Sequence, residues 1–425
     1  MNQNSLTVKT EPRVLFIDMN SFFARCEQQV NYWLRNRPVG VCVYTGKFGC
    51  IIAASNEAKL LGVKTGMRLN EAIKICPELV PVETNPDRYR NFHIKIIQVL
   101  KNYSQDIVPK SIDEAIINLE NYKLIYPDPV EVAKKIKKDI YNEVGDWLSC
   151  SIGIAPNAFL AKLASGLDKR NGLSVITHEN IDTILSGLKL NQLPGIGRNM
   201  YERLIRAGIQ TPLQMRYAGP ELLKRIFKSI EGIYWHYRLN FVETNIATQD
   251  YRGMQSMRQL SAENRKSIEL VEQIFQTLCL TLEKRMVRHK YYCKTIGCSI
   301  KYTDNTRWDD AFSLNTPIQD GIVLLRMIKK RMQQFEQLSK EGPVLNTNVA
   351  GIRIGITNFI NTEGMLYNLF EDIAQQEKAR KTMYSIKGNF GNDKIMRAAE
   401  LNGKVMKDVI GFGSVKDLTD LEYNS

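Results

Sequence analysis

Apolar and polar residues follow two different patterns over the first part of the chain. Short apolar runs bounded by polar or turn residues are typical of buried strands, and apolar positions every three to four residues are typical of helices. The predicted strands are Arg13–Asp18, Val39–Tyr44, Cys50–Ala54, Ile112–Leu119, Leu148–Ile154 and Leu173–Thr177. The predicted helices are the segment that follows Asn20 and Ser21, Glu57–Leu61, Asn70–Ile75, Pro86–Tyr103, Pro129–Val144 and Asn157–Leu167. This alternation predicts an α/β or α+β unit.

Beyond Thr177 the pattern becomes helical and then changes again. A Pro-Gly-x-Gly turn and a helix occupy Leu193–Gly208, and residues 245–253 are polar and linker-like. The elements predicted after this linker are the helices Ser267–Val287 and Gly321–Leu338, the strands Lys294–Tyr302 and Asn348–Ile356, and a helix near Ile373–Thr382. A chain of this length and organisation is expected to form roughly two to four domains.

Composition and charge indicate the class of partner. The chain is 44% hydrophobic and 24% charged, which is typical of soluble globular proteins, and no apolar run is long enough to span a bilayer. Lys and Arg outnumber Asp and Glu by 58 to 45, and the net charge of +13 favours a polyanionic partner. Residues 254–360 contain 16 basic and 10 acidic side chains, whereas residues 361–425 contain 9 and 10. The scattered cysteines form no CxxC pair, so the sequence does not predict a zinc site.

Three carboxylates lie at the ends of two predicted strands. Asp18 ends the first strand, and Asp113 and Glu114 lie at the start of Ile112–Leu119. If these ends meet at one edge of a sheet, the three charges repel one another and need a cation between them. Carboxylate oxygens favour Mg²⁺ over zinc. Surface acids at strand ends are the alternative, but the apolar neighbours of all three hold them near a core.

Several motifs along the chain resemble those of one enzyme family. They are FIDMNSFFARCE at residues 16–27, SIDEA at 111–115, SIGIAP at 151–156, DKRNGL at 168–173 and LPGIG at 193–197. Their order and spacing resemble those of the Y-family DNA polymerases, and in detail those of the bacterial UmuC/DinB group. The resemblance extends over roughly residues 12 to 360.

The resemblance implies an α+β, right-hand polymerase fold. The expected domains are a ferredoxin-like palm (1–23 and 87–177), small fingers (24–86), a thumb with a helix-hairpin-helix (178–244), a linker (245–253), an α/β little finger (254–360) and a C-terminal tail (361–425). The implied activity is low-fidelity, template-directed transfer of a nucleotide from dNTP to a primer 3′-hydroxyl during translesion synthesis. Small fingers enclose the nascent base pair weakly, so low fidelity and lesion tolerance are expected together.

The resemblance also implies the catalytic residues. Asp18, Asp113 and Glu114 would hold two Mg²⁺ ions, with the backbone carbonyl of Met19 as a further ligand. In a two-metal site one ion activates the attacking hydroxyl and the other neutralises the leaving pyrophosphate.

The nucleotide is expected beside the first acidic motif. The amides of Ser21, Phe22 and Phe23 open a helix, and helix N-termini bind phosphate oxygens. By resemblance, Lys169 contacts the triphosphate, and so does Lys59, which replaces the arginine of many relatives. Lysine lacks the bidentate fork of arginine, so its contact differs in geometry.

Phe23 resembles the family's steric gate, an aromatic ring that lies under the sugar. A ribonucleotide carries a 2′-hydroxyl that a rigid ring leaves no space for. Taken alone, Phe23 would be interpreted as an ordinary core aromatic, and only its place in the motif favours the gate.

Five further residues are predicted to bind DNA. The glycines Gly195 and Gly197 of the LPGIG turn resemble a helix-hairpin-helix, in which backbone amides approach a phosphate. Arg252, Arg258 and Lys301 are predicted to lie on strands and contact phosphates. A plain helical turn and a solvated charged face are the alternatives.

The tail carries a candidate peptide for a sliding clamp. Leu369 and Phe370 lie where UmuC-like relatives have a Gln-Leu-x-Leu-Phe motif, and Leu366 replaces its glutamine. An apolar pair of this kind fills a hydrophobic pocket. Packing against the protein's own fold is the alternative.

The predicted protein is a monomer of the cytoplasm and nucleoid that binds primed template DNA and dNTP and has no membrane partner. Three other functions stay open from the residues. A catalytically inactive DNA-binding accessory protein would lack primer extension, and a nucleotidyl cyclase would form cyclic product without DNA. A structural DNA binder would not need the paired acids.

Overall fold

The computed structural model describes residues 8–46, 49–244, 252–339, 342–361, 373–391 and 394–400. The described chain falls into two compact units. Residues 8–244 belong to the first unit, and the described residues from 252 to 400 belong to the second. Across the described ranges no helix is long and apolar enough to cross a membrane.

The first unit mixes strands and helices. Its strands are β1 (Val14–Met19), β2 (Val39–Cys42), β3 (Ile51–Ala54), β4 (Val80–Glu83), β5 (Ile107–Pro109), β6 (Glu114–Asn118), β7 (Cys150–Ala155) and β8 (Leu173–Val175). Its α-helices are α1 (Phe22–Val30), α2 (Asn56–Leu60), α3 (Leu69–Ile75), α4 (Pro86–Lys101), α5 (Pro129–Asp139), α6 (Ala158–Leu167), α7 (Ile181–Ser186), α8 (Arg198–Arg206), α9 (Pro212–Tyr217), α10 (Pro220–Phe227) and α11 (Glu231–Leu239).

A five-stranded sheet in the order β5-β6-β1-β7-β8 forms the centre of this unit. Strand β1 is antiparallel to both of its neighbours and is buried on both faces. Leu15 and Ile17 join the core that contains α4 and α5, whereas Val14 and Phe16 pack with α6. Because alternate side chains of a strand point to opposite faces, β1 needs apolar residues throughout, and its first polar side chain, Asp18, comes at its end.

Helix α6 lies close against β7. A Cβ atom on Gly153 would come within 2.1 Å of the carbonyl oxygen of Ala161, so only glycine permits this approach. The close packing fixes the path of α6 across the sheet. It therefore fixes Lys162, which is the only charged residue of the apolar helix AFLAKLASGL.

A smaller sheet, in the order β3-β2-β4, is inserted between α1 and α4 together with α2 and α3. Its small separate core consists of Cys42, Ile51, Ala54, Ala58, Val63, Leu69, Ala72, Cys76 and Leu79. Helices α7 to α11 then form a helical region whose apolar side chains, including Leu204, Leu223 and Trp235, continue the core of α6.

The second unit is a four-stranded antiparallel sheet with helices. Its elements are β9 (Gly253–Gln259), α12 (Ile268–Arg288), β10 (Tyr291–Tyr302), β11 (Arg307–Ile318), α13 (Gly321–Ser339), β12 (Val349–Asn361) and α14 (Ile373–Phe390). The strand order is β11-β10-β12-β9, and α12 and α13 contribute their apolar faces to the core. The described part of the predicted tail, 373–391 and 394–400, belongs to this unit.

The observed elements confirm the α+β class, but β4, β5 and β11 lay outside the predicted set, and β9 was predicted only as a strand that carries Arg258. Strand β5 has three residues, β4 contains Pro81, and β9 and β11 are largely polar because alternate residues face solvent. Such strands lack the apolar run or the clear alternation that identifies a strand in a sequence.

Candidate active site

Asp18, Asp113 and Glu114 meet at one end of the central sheet. Asp18 at the end of β1 is the direct antiparallel partner of Glu114, the first residue of β6. Asp113 is adjacent, because the amide of Met19 donates to its carbonyl oxygen at 2.9 Å. The predicted strand Ile112–Leu119 begins at Glu114 instead, so Asp113 belongs to the preceding turn. We call these three residues the palm acids.

Two lysines and a hydroxyl pair with the palm acids. The ammonium of Lys162 donates to both carboxylate oxygens of Glu114, at 2.9 and 3.0 Å. Lys169 forms an ion pair with Asp18, and the hydroxyl of Ser111 donates to Asp113. Each carboxylate therefore has a partner of its own. Among the described residues, no three acidic, histidine or cysteine side chains converge on one point as ligands of a bound metal would.

The environment disfavours the ionised form of two palm acids. Burial raises the pKa of Asp113, and the charge of Asp18 adds to this effect. Burial also raises the pKa of Glu114, against the lowering effect of Lys162. Neighbouring carboxylates whose charge is poorly solvated are ligands that gain by binding a cation. With only oxygen donors among them, the palm acids fit a hard divalent ion such as Mg²⁺.

Basic side chains of the inserted segment approach the start of α1. Ser21 precedes this helix with a left-handed φ of 49°, and its hydroxyl donates to Asn56 Oδ1 at 2.8 Å. The same hydroxyl oxygen accepts from Lys59 Nζ at 2.7 Å. Burial lowers the pKa of Lys59, and the charges of Lys169 and Arg25 act in the same direction. The structure thus brings the predicted residues Ser21, Lys59 and Lys169 around Asp18.

A solvent-filled pocket of about 860 Å³ opens beside these residues. It is lined by Arg25, Asn56, Lys59, Leu60, Lys137, Lys138, Tyr141, Asp146, Trp147, Leu148, Ser149, Lys169, Arg170 and Asn171. Six of these residues are basic and one is acidic, and Asp146 is neutralised by its ion pair with Arg35. The pocket therefore attracts anions.

Phe22 and Phe23 form the first turn of α1, and both are buried. The ring of Phe23 is stacked on that of Tyr89 from α4, with centroids 4.4 Å apart and an angle of 15°. Tyr89 was not among the predicted site residues. It is fully buried in the core that also contains Phe92 and Ile96 of α4.

The two glycines of the LPGIG turn have different requirements. Gly195 has a φ of +96° and lies against Trp235, so its conformation demands glycine. Gly197 precedes α8 with a φ of −83° and has open space where a Cβ would be. Glycine at this second position leaves the first amides of α8 uncovered.

The predicted basic residues of the second unit lie in different surroundings. Lys301 lies on β10 and points to the face opposite the helices, as its partner Gly351 does. Arg258 follows the alternation of the buried residues Met254 and Ser256, so it points toward the helix side of β9. Arg252 precedes β9 and is exposed, so its prediction as a strand residue is wrong.

Arg353 is a basic residue of the open sheet face that the sequence argument missed. The groove that it lines has a volume of about 440 Å³, and its other lining residues are Gly297, Cys298, Ser299, Asp309, Asp310, Ala311 and Gly355. The alternation of β12 (Ile352, Arg353, Ile354) was the available signal. The predicted clamp residues Leu369 and Phe370 lie outside the described residues.

Lys162 is the other functional candidate that the prediction missed. Its signal was a single charge in an otherwise apolar helix, because such a charge needs a partner across the packed face. Its hydrogen bonds show that this partner is Glu114.

Comparisons with known proteins show the family of this chain. Residues 17–166 match the impB/mucB/samB family, and residues 254–369 match the C-terminal domain of the same family. The chain is 30% identical over 346 residues to DNA polymerase IV of Clostridioides difficile, covering 80% of this chain and 93% of that protein. It is 28% identical over 405 residues to DNA polymerase IV 1 of Bacillus subtilis, covering 93% and 95%.

Solved structures show the same fold. A chimera of the Y-family DNA polymerases Dbh and Dpo4 superposes with a TM-score of 0.65 at 23% identity, covering 82% of this chain and 99% of that one. An insertion ternary complex of Dbh DNA polymerase gives a TM-score of 0.57 at 24% identity, with the same coverage.

Proposed function

Because this chain belongs to the impB/mucB/samB family and is a Y-family DNA-directed DNA polymerase of translesion synthesis, we propose that the palm acids are its catalytic centre. The observation that supports this most is the direct cross-strand pairing of Asp18 with Glu114, with Asp113 adjacent. The inactive accessory protein is not favoured, because all three acids are present and lie at one end of the central sheet.

Enzymes of this family need a divalent metal, and we assign two Mg²⁺ ions to the palm acids and the carbonyl of Met19. When bound, these ions would activate the primer 3′-hydroxyl and neutralise the leaving pyrophosphate. To admit them, Glu114 and Asp18 have to exchange their contacts with Lys162 and Lys169 for contacts with the ions. Lysine is suited to this exchange because its side chain is flexible and its ammonium group lacks the fixed planar geometry of a guanidinium.

The dNTP triphosphate is assigned to the start of α1. Lys59 lies there already, hydrogen-bonded to Ser21, and Lys169 becomes available when Asp18 releases it. The uncovered amides of Phe22 and Phe23 supply further donors at the helix N-terminus. Charged side chains and amides in fixed positions stabilise the charge that develops on the leaving group.

Phe23 is assigned as the steric gate for the sugar. It follows the phosphate-binding turn directly, and its ring is supported from behind by Tyr89. Replacing Phe23 with Ala should raise insertion of ribonucleotides far more than it lowers insertion of dNTP. Equal selectivity in both proteins would make Phe23 a core residue only.

Contacts to duplex DNA are proposed for each unit by itself. In the first unit they are Gly195 and Gly197 of the LPGIG turn. In the second unit Lys301 and Arg353 lie on the open sheet face, Arg252 precedes β9, and Arg258 points to the helix side of β9. Because phosphate contacts release counterions, binding to primed DNA should weaken steeply as salt rises. The clamp peptide Leu369-Phe370, the monomeric state and the cytoplasmic, nucleoid-associated location stay predictions.

Primer extension on undamaged templates and on templates with an abasic site tests the proposed function. The wild-type chain with Mg²⁺ and dNTPs should extend both, and Asp18→Ala should extend neither while still binding primed DNA. Extension that needs no added metal, or an Asp18→Ala protein as active as wild type, would contradict the assignment. Formation of cyclic nucleotide without DNA would identify a cyclase instead.

A further inference from the structure

The ring of Phe23 is backed by a second aromatic ring that is itself held in place. The two rings are nearly parallel, with Phe23 6% exposed and Tyr89 fully buried. Offset stacking at this separation is attractive, and the Tyr89 ring fills the space into which Phe23 would otherwise retreat. Support from behind therefore limits the movement of Phe23 away from a nucleotide.

Tyr89 has a fixed position because its hydroxyl is anchored. The hydroxyl donates to Glu27 Oε1 at 2.7 Å, and the other carboxylate oxygen of Glu27 accepts from Arg88. Glu27 is 3% exposed, so this pair is shielded from competing water. Burial raises the pKa of Tyr89, with Glu27 adding to the effect, which keeps the phenol protonated as the donor.

The contacts form a closed path through two helices. Glu27 follows Phe23 by one turn of α1, and the two side chains share one face of the helix. On α4, Asn85 caps the first turn by accepting from the amide of Arg88 at 3.1 Å, with Pro86 as the first residue. Tyr89 therefore reaches the gate from a helix start whose backbone is fixed.

We propose that Tyr89 is a positioning residue for sugar selection, which holds the ring of Phe23 under the sugar, and that Glu27 holds Tyr89. The inference rests on the steric-gate role of Phe23 proposed above. Ribose and deoxyribose differ by a single oxygen atom. The Phe23 ring therefore excludes the 2′-hydroxyl only if it keeps its position when the nucleotide binds. Rejection of ribonucleotides thus depends on what lies behind the ring as well as on the ring.

The test measures kcat/KM for insertion of one dNTP and of the rNTP with the same base. Tyr89→Leu removes the stacked ring, and we expect the preference for dNTP to fall about three- to tenfold, the range that an aromatic pair contributes. Tyr89→Phe keeps the ring and removes only the anchor, so a smaller fall is expected. Glu27→Gln retains an acceptor oxygen for Tyr89 and should retain most of the preference.

Tyr103→Phe is the matched control. Tyr103 is a buried tyrosine whose hydroxyl donates to a carboxylate, Asp139, and its ring contacts Tyr126 rather than Phe23. It has the same chemistry as Tyr89 and lies away from the gate. Tyr103→Phe should lower stability to a similar degree as Tyr89→Phe and leave the preference for dNTP unchanged.

The double variant Phe23→Ala/Tyr89→Leu separates the two proposals. If Tyr89 acts through Phe23, the double variant should have the selectivity of Phe23→Ala alone. If Phe23→Ala does not change selectivity, the gate assignment fails. If Phe23→Ala relaxes selectivity but neither Tyr89→Leu nor Tyr89→Phe does, the gate is correct and the positioning role is wrong. Should Tyr89→Leu not fold, the difference between Tyr89→Phe and Tyr103→Phe decides the question alone.

Discussion

Each compact unit of this protein gathers acidic side chains beside basic ones, but the two clusters are built differently. In the first unit each palm acid has a partner of its own, and one of these partners, Lys169, lines the solvent-filled pocket. The partners Lys162 and Lys169 are 40% and 54% exposed. Exposed lysines lose little when they leave a carboxylate, so this cluster is open to exchange.

The cluster of the second unit is closed. Its acids are Glu283, Asp320 and Glu400, and we call them the second-unit acids. Arg397 alone donates to all three, at 2.9, 3.2 and 2.7 Å. Arg380 donates to Asp320, and its side chain is 9% exposed. This network ties α14 and residues 394–400 to α12 and the start of α13.

Burial and the type of basic partner separate the acids that we propose for catalysis from the acids that stabilise the fold. Arginine guanidinium groups that bind buried carboxylates through several hydrogen bonds are held rigidly and in a specific geometry. Lysines that are partly exposed and neutralise single acids can be exchanged for a metal ion, as we propose for the palm acids. The same residue types thus give a buried ion-pair network in one unit and a proposed metal site in the other, and burial and the type of basic side chain distinguish the two.

The largest expected effect is on catalysis by the first cluster. Asp113→Asn should lower single-nucleotide insertion by on the order of a thousandfold, equivalent to about 4 kcal/mol of transition-state stabilisation. Its thermal stability without metal should stay equal or rise. The reason is that the pKa of Asp113 is raised in the folded state, so the ionised form costs stability at neutral pH. Insertion assays and thermal unfolding without metal measure the two effects.

The control is the affinity of the Asp113→Asn variant for primed DNA. This affinity should match that of wild type, because the proposed contacts to DNA phosphates lie in the LPGIG turn and the second unit. A variant that lost activity, DNA binding and stability together would show that Asp113 has a structural role. In that case the contrast between the two clusters would fail.

The next effect is on stability of the second unit. Glu283→Ala removes the fully buried carboxylate that accepts from Arg397 and from the Gly321 amide and that lies beside Arg380, so the free energy of unfolding should fall by about 3–5 kcal/mol. Urea denaturation followed by ¹⁹F NMR of 5-fluorotryptophan at Trp308, a buried residue of this unit, measures the loss.

Glu272→Ala on the same helix is the matched control. Its ion pair with Lys329 spans 2.7 Å but is exposed, at 45% and 35% of the two side chains, so the loss should be about 0–1 kcal/mol. Equal losses for Glu283→Ala and Glu272→Ala would mean that the buried network does not stabilise the fold.

The sequence predicted the first cluster well and the second not at all. Asp18, Asp113 and Glu114 lie in short contiguous motifs next to apolar strands, where local pattern and register bring them together. Glu283 looks like one more charge on the amphipathic helix α12, and its partners come from segments far along the chain. Tyr89 could not be predicted as a site residue, because the sequence does not show which neighbour a buried aromatic residue packs against.

A smaller effect on stability is expected when the basic partners of the two clusters, Arg397 and Lys162, are replaced. Arg397→Lys should lower stability by roughly 1–3 kcal/mol, since a single ammonium cannot reach three carboxylates in the place of a guanidinium. Lys162→Met should change it by less than about 1 kcal/mol, because its ion pair is partly exposed and screened. Thermal and urea unfolding measure the stability of both variants. A larger loss of stability for Lys162→Met than for Arg397→Lys would contradict this prediction.

The smallest effect is a change in how stability depends on pH. Burial alone would raise the pKa of Asp320, but the amide of Val323 and the guanidinium groups of Arg397 and Arg380 outweigh it and lower the pKa. A lowered pKa means that Asp320 stabilises the fold above the ordinary carboxyl range, and that this contribution is lost as pH falls through the folded-state value. Glu283 has the opposite sign, because burial raises its pKa against the effect of Arg397, so protonation as pH falls favours the folded state. The measurement is urea denaturation from neutral to acidic pH, followed at Trp308. As pH falls, the free energy of unfolding should decrease less for Asp320→Asn than for wild type, and more for Glu283→Gln. Slopes that change in the same direction in both variants would show that the second-unit acids titrate as one group rather than as the opposed pair that the arginine network implies.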